Sequence, residues 1–251
     1  MVRAATLALL TLAALQAADS KDVNKTVALT PNGAVTIETH KGSIHVTTWD
    51  RPEVDIKARI EAEPGTTMDR RRFDATEVRI DATSDSVHIR TQYPDWCCNS
   101  DDEGNNPEVR YTIQMPRTGR LTIHDHRSET DVADLSGALD ITTHRGTVRV
   151  HRLAGPLQLT THRGEVNIEF ASFTANSVID TYRGSVELSM PRNSRFDLQA
   201  DLGRHATVDT DFTMMTRSAD RRGETMHGSV NGGGPTLDVK TYRGDIRLRS
   251  R

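Results

Sequence analysis

Histidine, tyrosine and arginine recur in this chain inside one short motif. Thr143-His144-Arg145-Gly146, Thr161-His162-Arg163-Gly164 and Thr181-Tyr182-Arg183-Gly184 are copies of a single tetrad, with glycines 18 and then 20 residues apart. Asp125-His126-Arg127-Ser128 keeps that register, since His126 precedes His144 by 18 residues, although Thr and Gly are lost. If the copies stack, two ladders form, with successive members about 5 Å apart. One holds His126, His144, His162 and Tyr182; the other holds Arg127, Arg145, Arg163 and Arg183. Guanidinium forks suit carboxylate and phosphate, and the His and Tyr rings offer flat faces. Such a stripe would bind an anionic or glycan polymer, for instance one at a cell surface, because weak contacts repeated along a polymer add up. The plainer alternative is a repeated corner whose side chains are solvated or paired within each coil, and surface pairs contribute little. Asp140, Glu165, Asp180 and Glu187 are the carboxylates expected to offset the arginines.

The same histidines, with His124, raise a metal reading, since imidazoles on adjacent coils can share Zn²⁺ or Cu²⁺. No carboxylate or cysteine stands at ligand spacing beside them, so neither a metal nor another cofactor is expected. The chain has no nucleophile–base pair, phosphate-binding glycine loop or HExxH pattern; Gly232-Gly233-Gly234 is not followed by Lys-Ser/Thr. No catalytic residue is assigned, and the expected class is a non-enzymatic binding or structural protein. One alternative is an enzyme acting on polysaccharide. That chemistry needs carboxylates gathered in a groove, whereas here they are spread along the chain. Another alternative is a regulatory partner in envelope stress, for which no residue speaks. Cys97 and Cys98 are the only cysteines. They can close a strained ring with each other, each bond another chain, or remain free thiols.

The elements that must position the stripe follow from the residues between the tetrads. After each Gly comes an alternating run: Thr147-Val148-Arg149-Val150, Glu165-Val166-Asn167-Ile168, Ser185-Val186-Glu187-Leu188. Val148 and Val150 point one way while Arg149 and His151 point the other, which is the period of a strand. Leu153-Ala154-Gly155-Pro156 has turn chemistry, and Leu157 and Leu159 resume the inward set. One such unit buries almost nothing alone, but stacked units give each Val, Ile or Leu a like neighbour. The expectation is an all-β, single-domain β-solenoid of 18–20-residue two-strand repeats, with an antiparallel sandwich as the alternative. Val148, Val150, Leu157, Leu159, Val166, Ile168, Ile179, Val186 and Leu188 should be buried. His144, Arg145, His162, Arg163 and Arg183 should be exposed at one corner.

Hydrophobic residues make up 35% and aromatics 4% of the chain, low for a thick core and suited to a narrow one. A net charge of −3, with both signs mixed, is not the balance of a nucleic-acid binder. Residues 1–18 read as a cleaved signal peptide: Arg3, then the uncharged run Ala4 to Leu15, then small residues up to Ala18. That run of 12 residues is too short, as a helix, for a bilayer core of about 30 Å. The mature chain then has no transmembrane segment. No cysteine near the cleavage site offers a lipid anchor, so the expected place is the periplasm or outside the cell.

The domain is expected over 19–251. Asp19 to Ala28 reads as a polar lead-in, Thr47 to Pro52 as a corner, and Glu61 to Arg72 as a loop or short capping helix. Val78 and Ile80 form a hairpin with Val87 and Ile89, and residues 93–107 are a loop excursion holding both cysteines. Ala200-Asp201-Leu202-Gly203 reads as a degenerate corner, and Arg217 to Gly234 as a loop before the last coil. Thr39-His40-Lys41-Gly42 opens the array and Thr241-Tyr242-Arg243-Gly244 closes it.

The repeated Thr-x-x-Gly-x-Ile/Val-x-Val pattern, the segment Val109 to Pro116 and the closing Thr241-Tyr242-Arg243-Gly244-Asp245-Ile246 resemble a bacterial family of β-strand repeat proteins, the "putative adhesin" domain of unknown function. The resemblance covers residues 30–251 and is best over 109–190. It implies a secreted or envelope β-solenoid with no established reaction and no active-site residues to carry over. The Asp125-His126-Arg127-Ser128 corner and the double-cysteine loop depart from the pattern.

Overall fold

The computed structural model describes residues 19–62, 65–94, 106–203, 206–219 and 225–251. The expected leader at 1–18 and both cysteines lie outside these residues. Among them the chain is mostly β, with twenty strands and one helix, and the strand pairings form one continuous sheet.

Alternation decides which way each strand faces. In β10 (Val148–Leu153), Val148 and Val150 are buried while Arg149 and His151 face water. β9 (Leu139–Arg145), β11 (Leu157–Arg163) and β13 (Ser177–Arg183) lie parallel, so that Ile141, Leu159 and Ile179 form one inward column. Likewise β12 (Val166–Phe170) lies between β10 and β14 (Val186–Met190), stacking Val148 on Val166 on Val186. Parallel in-register pairing puts like on like, and burying each such side chain contributes about 1.5–3 kcal/mol. All nine aliphatics expected in the core are 2% exposed or less.

Order in space departs from order in sequence. The first face runs from β5 (Glu77–Ala82) through β6 (Ser86–Gln92) and β2 (Ala34–Glu38) to the first half of β8 (Arg120–Ala133). It continues through β9, β11 and β13 to β19 (Thr236–Arg243), then β15 (Phe196–Leu202), β18 (Thr225–Val230) and β17 (Met214–Ala219). The second face runs from β1 (Ser20–Ala28) through β4 (Glu53–Glu61), β7 (Glu108–Pro116) and β3 (Lys41–Trp49) to the second half of β8. It ends through β10, β12 and β14 on β20 (Ile246–Ser250) and β16 (Val208–Thr210). The pair β2/β3 is therefore inserted between β6/β7 and β8, and β19/β20 between β13/β14 and β15/β16. The tetrads expected to open and close the array are internal rungs. Antiparallel pairing is confined to β1–β4–β7, β5–β6 and β15–β18–β17.

Four local readings are corrected and a fifth is narrowed. The lead-in is the strand β1, paired with β4 along its whole length; an edge strand needs backbone partners more than an apolar pattern. Of the loop or short helix read over Glu61 to Arg72, the short helix is present with shifted bounds: Glu61 ends β4, and the helix α1 covers Thr67–Ala75. Thr66 and Asp69 form its capping box, Phe73 is buried, and Lys21 Nζ donates to the carbonyls of Phe73, Asp74 and Thr76 at its far end. The stretch Arg217 to Gly234 contains β18 and the end of β17; among its described residues the turn is confined to Asn231 to Gly234, with positive φ at Asn231, Gly232 and Gly233. Leu202 pairs with Thr241, so the degenerate corner begins at Leu202 and places Gly203 level with Tyr242. β3 runs on to Trp49, which shortens the corner expected over Thr47 to Pro52. The hairpin β5–β6 stands as read.

Candidate functional site

The six tetrad positions are consecutive rungs of one corner, in the order 39–42, 125–128, 143–146, 161–164, 181–184 and 241–244. The tetrad threonines turn inward: Thr143, Thr161, Thr181 and Thr241 are all buried. The next residue turns out. The glycine then lets the chain pass over the rung before it, since a Cβ on Gly164 would lie 1.7 Å from the carbonyl oxygen of Gly146.

Outside the corner the rings form a single column. His40, His126, His144, His162, Tyr182 and Tyr242 follow one another with centroids 4.6, 4.7, 4.7, 4.9 and 5.0 Å apart and planes within 16° of parallel. Tyr93 closes the first end, edge-on to His40 at 6.0 Å. His162, Tyr182 and Tyr242 are exposed, while His40, His126 and His144 are half-buried. The sequence reading offered ring faces to a ligand. Here each inner ring covers its neighbours' faces, and only the polar edges look outward. The ladder read from the sequence lacks His40 and Tyr242; the insertion of β2/β3 beside β8 and of β19/β20 beside β13/β14 places them in it.

Beside the rings runs a row of cations, Lys41, Arg127, Arg145, Arg163, Arg183 and Arg243, paired rung to rung. Lys41 meets Glu108 at 3.5 Å. The five arginines have no carboxylate partner among the described residues. Arg183 and Arg243 lie over the rings of Tyr182 and Tyr242, at 5.5 and 5.8 Å. Arginines elsewhere are mostly paired: Arg90 with Glu38, Arg110 with Glu61, Arg152 with Asp134, Arg249 with Asp209 and Asp211. Arg145 and Arg163 are exposed, whereas Arg127, Arg183 and His144 are half-buried. The carboxylates expected to offset the row do not do so. Asp140 and Asp180 stand on strands before the corner, Asp180 level with Lys240, and Glu165 and Glu187 beyond it. His124 lies on β8 level with Glu38 and Thr142, outside the column. Among the described residues no three His, Cys, Asp or Glu side chains are arranged to hold a metal.

The departure at the second rung is a matched pair. Asp125 takes the inward threonine place and accepts bonds from the Ser128 amide at 2.7 Å, the Ser128 hydroxyl at 2.5 Å and the Thr143 hydroxyl at 2.9 Å. Ser128 takes the glycine place, and β8 runs through this corner unbroken. Burial pushes the Asp125 carboxyl above its ordinary range, against those bonds. Nearby, Thr91 bonds the Tyr111 hydroxyl at 2.6 Å and Thr39 at 3.0 Å. Burial pushes the Tyr111 phenol up to about 12 and raises Tyr93 further. Asp125→Ala is expected to cost about 1–3 kcal/mol by leaving buried donors unsatisfied. Asp125→Thr with Ser128→Gly, which restores the tetrad and removes the buried carboxyl, should recover the loss in urea denaturation. A double variant no more stable than Asp125→Ala would show that the two residues are not coupled.

This is the architecture of a mostly β protein whose parallel strands stack a repeated corner. The chain belongs to the Toastrack DUF4097 family, whose model matches residues 18–249. It is similar to the crystal structure of a putative cell adhesion protein from Clostridium sporogenes, at 10% identity and a TM-score of 0.47, covering 92% of this chain and 100% of that one. It is also similar to a putative adhesin from Bacteroides fragilis, at 10% identity and a TM-score of 0.33, covering 91% and 97%. A putative lipid binding protein from Parabacteroides distasonis is similar at 10% identity and 0.29, covering 92% and 98%. No curated protein matches the sequence. Among the described residues no helix is long and apolar enough to cross a membrane.

Proposed function

We propose that this chain is an exported, non-enzymatic β-solenoid of 18–20-residue rungs, spanning 19–251 after loss of a signal peptide. It binds an anionic polymer of the cell surface or envelope through the corner bearing His126, Arg127, His144, Arg145, His162, Arg163, Tyr182 and Arg183. His40, Lys41, Tyr242 and Arg243 extend that stripe at its two ends. The observation that carries the reading is the row of five arginines, which has no carboxylate partner among the described residues. Like charges at strand spacing repel, screening relieves this only in part, and a polyanion laid along the row relieves it throughout.

The test is polyanion binding by the wild type and by Arg145→Ala/Arg163→Ala/Arg183→Ala. Exposed ion pairs contribute about 0.2–1 kcal/mol each, so one substitution should matter little and three together should weaken binding about tenfold or more. The triple variant should stay folded, because surface changes usually cost within about 0.5 kcal/mol. Wild-type binding should fall as salt rises. A folded triple variant that binds as well as the wild type would leave the corner a structural feature only.

A further inference from the structure

Resting on the reading of the corner as a polyanion-binding surface, we infer that its ligand is an acidic glycan, an extended chain of carboxylate-bearing sugar rings laid along the stacking axis. The ring column argues against a nucleic-acid strand. Sequence-independent binding of single strands relies on open aromatic faces on which bases stack. Here the faces between His40 and Tyr242 are covered by neighbouring rings 4.6–5.0 Å away. Strand spacing argues against an acidic peptide. Side chains on one side of an extended peptide recur about every 6.7 Å, and rungs recur about every 4.8 Å, so the two series drift apart within a few contacts.

A chain of six-membered sugar rings fits both features. Successive rings of an extended chain turn over, so carboxylates on one side recur about every second ring, an advance close to two rungs, and the register holds at alternate rungs of the six. At the rungs of His162, Tyr182 and Tyr242 an arginine for a carboxylate stands beside an outward ring edge for hydroxyls. A guanidinium grips carboxylate with two parallel bonds, and the imidazole nitrogens and tyrosine hydroxyls both donate and accept. Of the outward edges, His162, Tyr182 and Tyr242 are the most accessible. They lie beside Arg163, Arg183 and Arg243. This half of the corner should therefore hold the ligand most strongly.

The experiment is titration calorimetry of the chain at low salt with oligogalacturonates of increasing length, beside oligoglutamate and oligothymidylate of equal charge. Affinity for the glycan should rise with each added pair of rings until the oligomer spans the stripe, then level off. At equal charge it should exceed that for either other polymer by about tenfold. Equal or tighter binding of oligoglutamate or oligothymidylate would overturn the glycan inference and leave the polyanion reading standing. So would an affinity that stops rising after two or three rings. No binding of any of the three polymers would overturn both.

Discussion

Gly184→Ala is expected to leave the chain unable to hold its native sheet. Gly184 has φ of +143°, a conformation side chains rarely adopt, and its added Cβ would lie 1.7 Å from the carbonyl oxygen of Gly164. That oxygen belongs to backbone held by the rungs on either side, so relief requires parting the parallel strands. The corner repeats with the same close approach at Gly146, Gly164 and Gly244, so displacement at one rung is passed to the next. Loss should exceed about 4 kcal/mol, a range reserved for steric and core failures. Gly232→Ala is the control. Gly232 also has positive φ, at +89°, but its Cβ would meet nothing closer than a side-chain atom of Arg195 at 3.5 Å. The backbone penalty alone is about 1–2 kcal/mol. Urea denaturation of both variants separates the cases, and a Gly184→Ala midpoint near that of Gly232→Ala would refute the close stacking of rungs.

Deleting residues 236–251 should disrupt far more than one rung. If the chain were a simple pile in sequence order, the last coil would come away and the rest would keep its contacts. Instead β19 gives hydrogen bonds to β13 on one side and β15 on the other, and β20 stands between β14 and β16. Leu237, Val239, Ile246 and Leu248 are each 0% exposed. At about 1.5–3 kcal/mol apiece, they approach the about 5–15 kcal/mol that holds a whole domain. Hydrogen exchange should find protection lost throughout β15 to β18 and weakened in β13 and β14, while β8 to β10 stay protected. Protection of β15 to β18 in the deleted chain would contradict the inserted position of the last strand pair.

Much of this is legible in the sequence, because it depends on local pattern. Alternation from Val148 to Leu188 decided which side chains turn inward, since a strand has a period of two residues whatever lies beside it. The constant register at His126 announced a rung despite its altered residues. The Asp125–Ser128 bonding that keeps that rung closed was not legible, because the two side chains serve each other and resemble no motif. β1 was not legible either: its residues are polar, and its partner β4 supplies the bonds.

The sequence by itself determined the rung: its two strands, its inward aliphatics and its outward His/Tyr-Arg pair. Only the tertiary structure decided the order of the rungs. Hydrogen-bonded pairing is chosen by complementary edges and matching columns rather than by distance along the chain. That is why Thr39 to Gly42 and Thr241 to Gly244 join the middle copies. The same stacking turned ring faces that looked available into covered ones, since a ring repeated at strand spacing packs first on its own copies. It also left the five corner arginines without a carboxylate partner among the described residues. Strand direction carries Asp140, Glu165, Asp180 and Glu187 away from the corner, while the guanidinium groups stay in line along it.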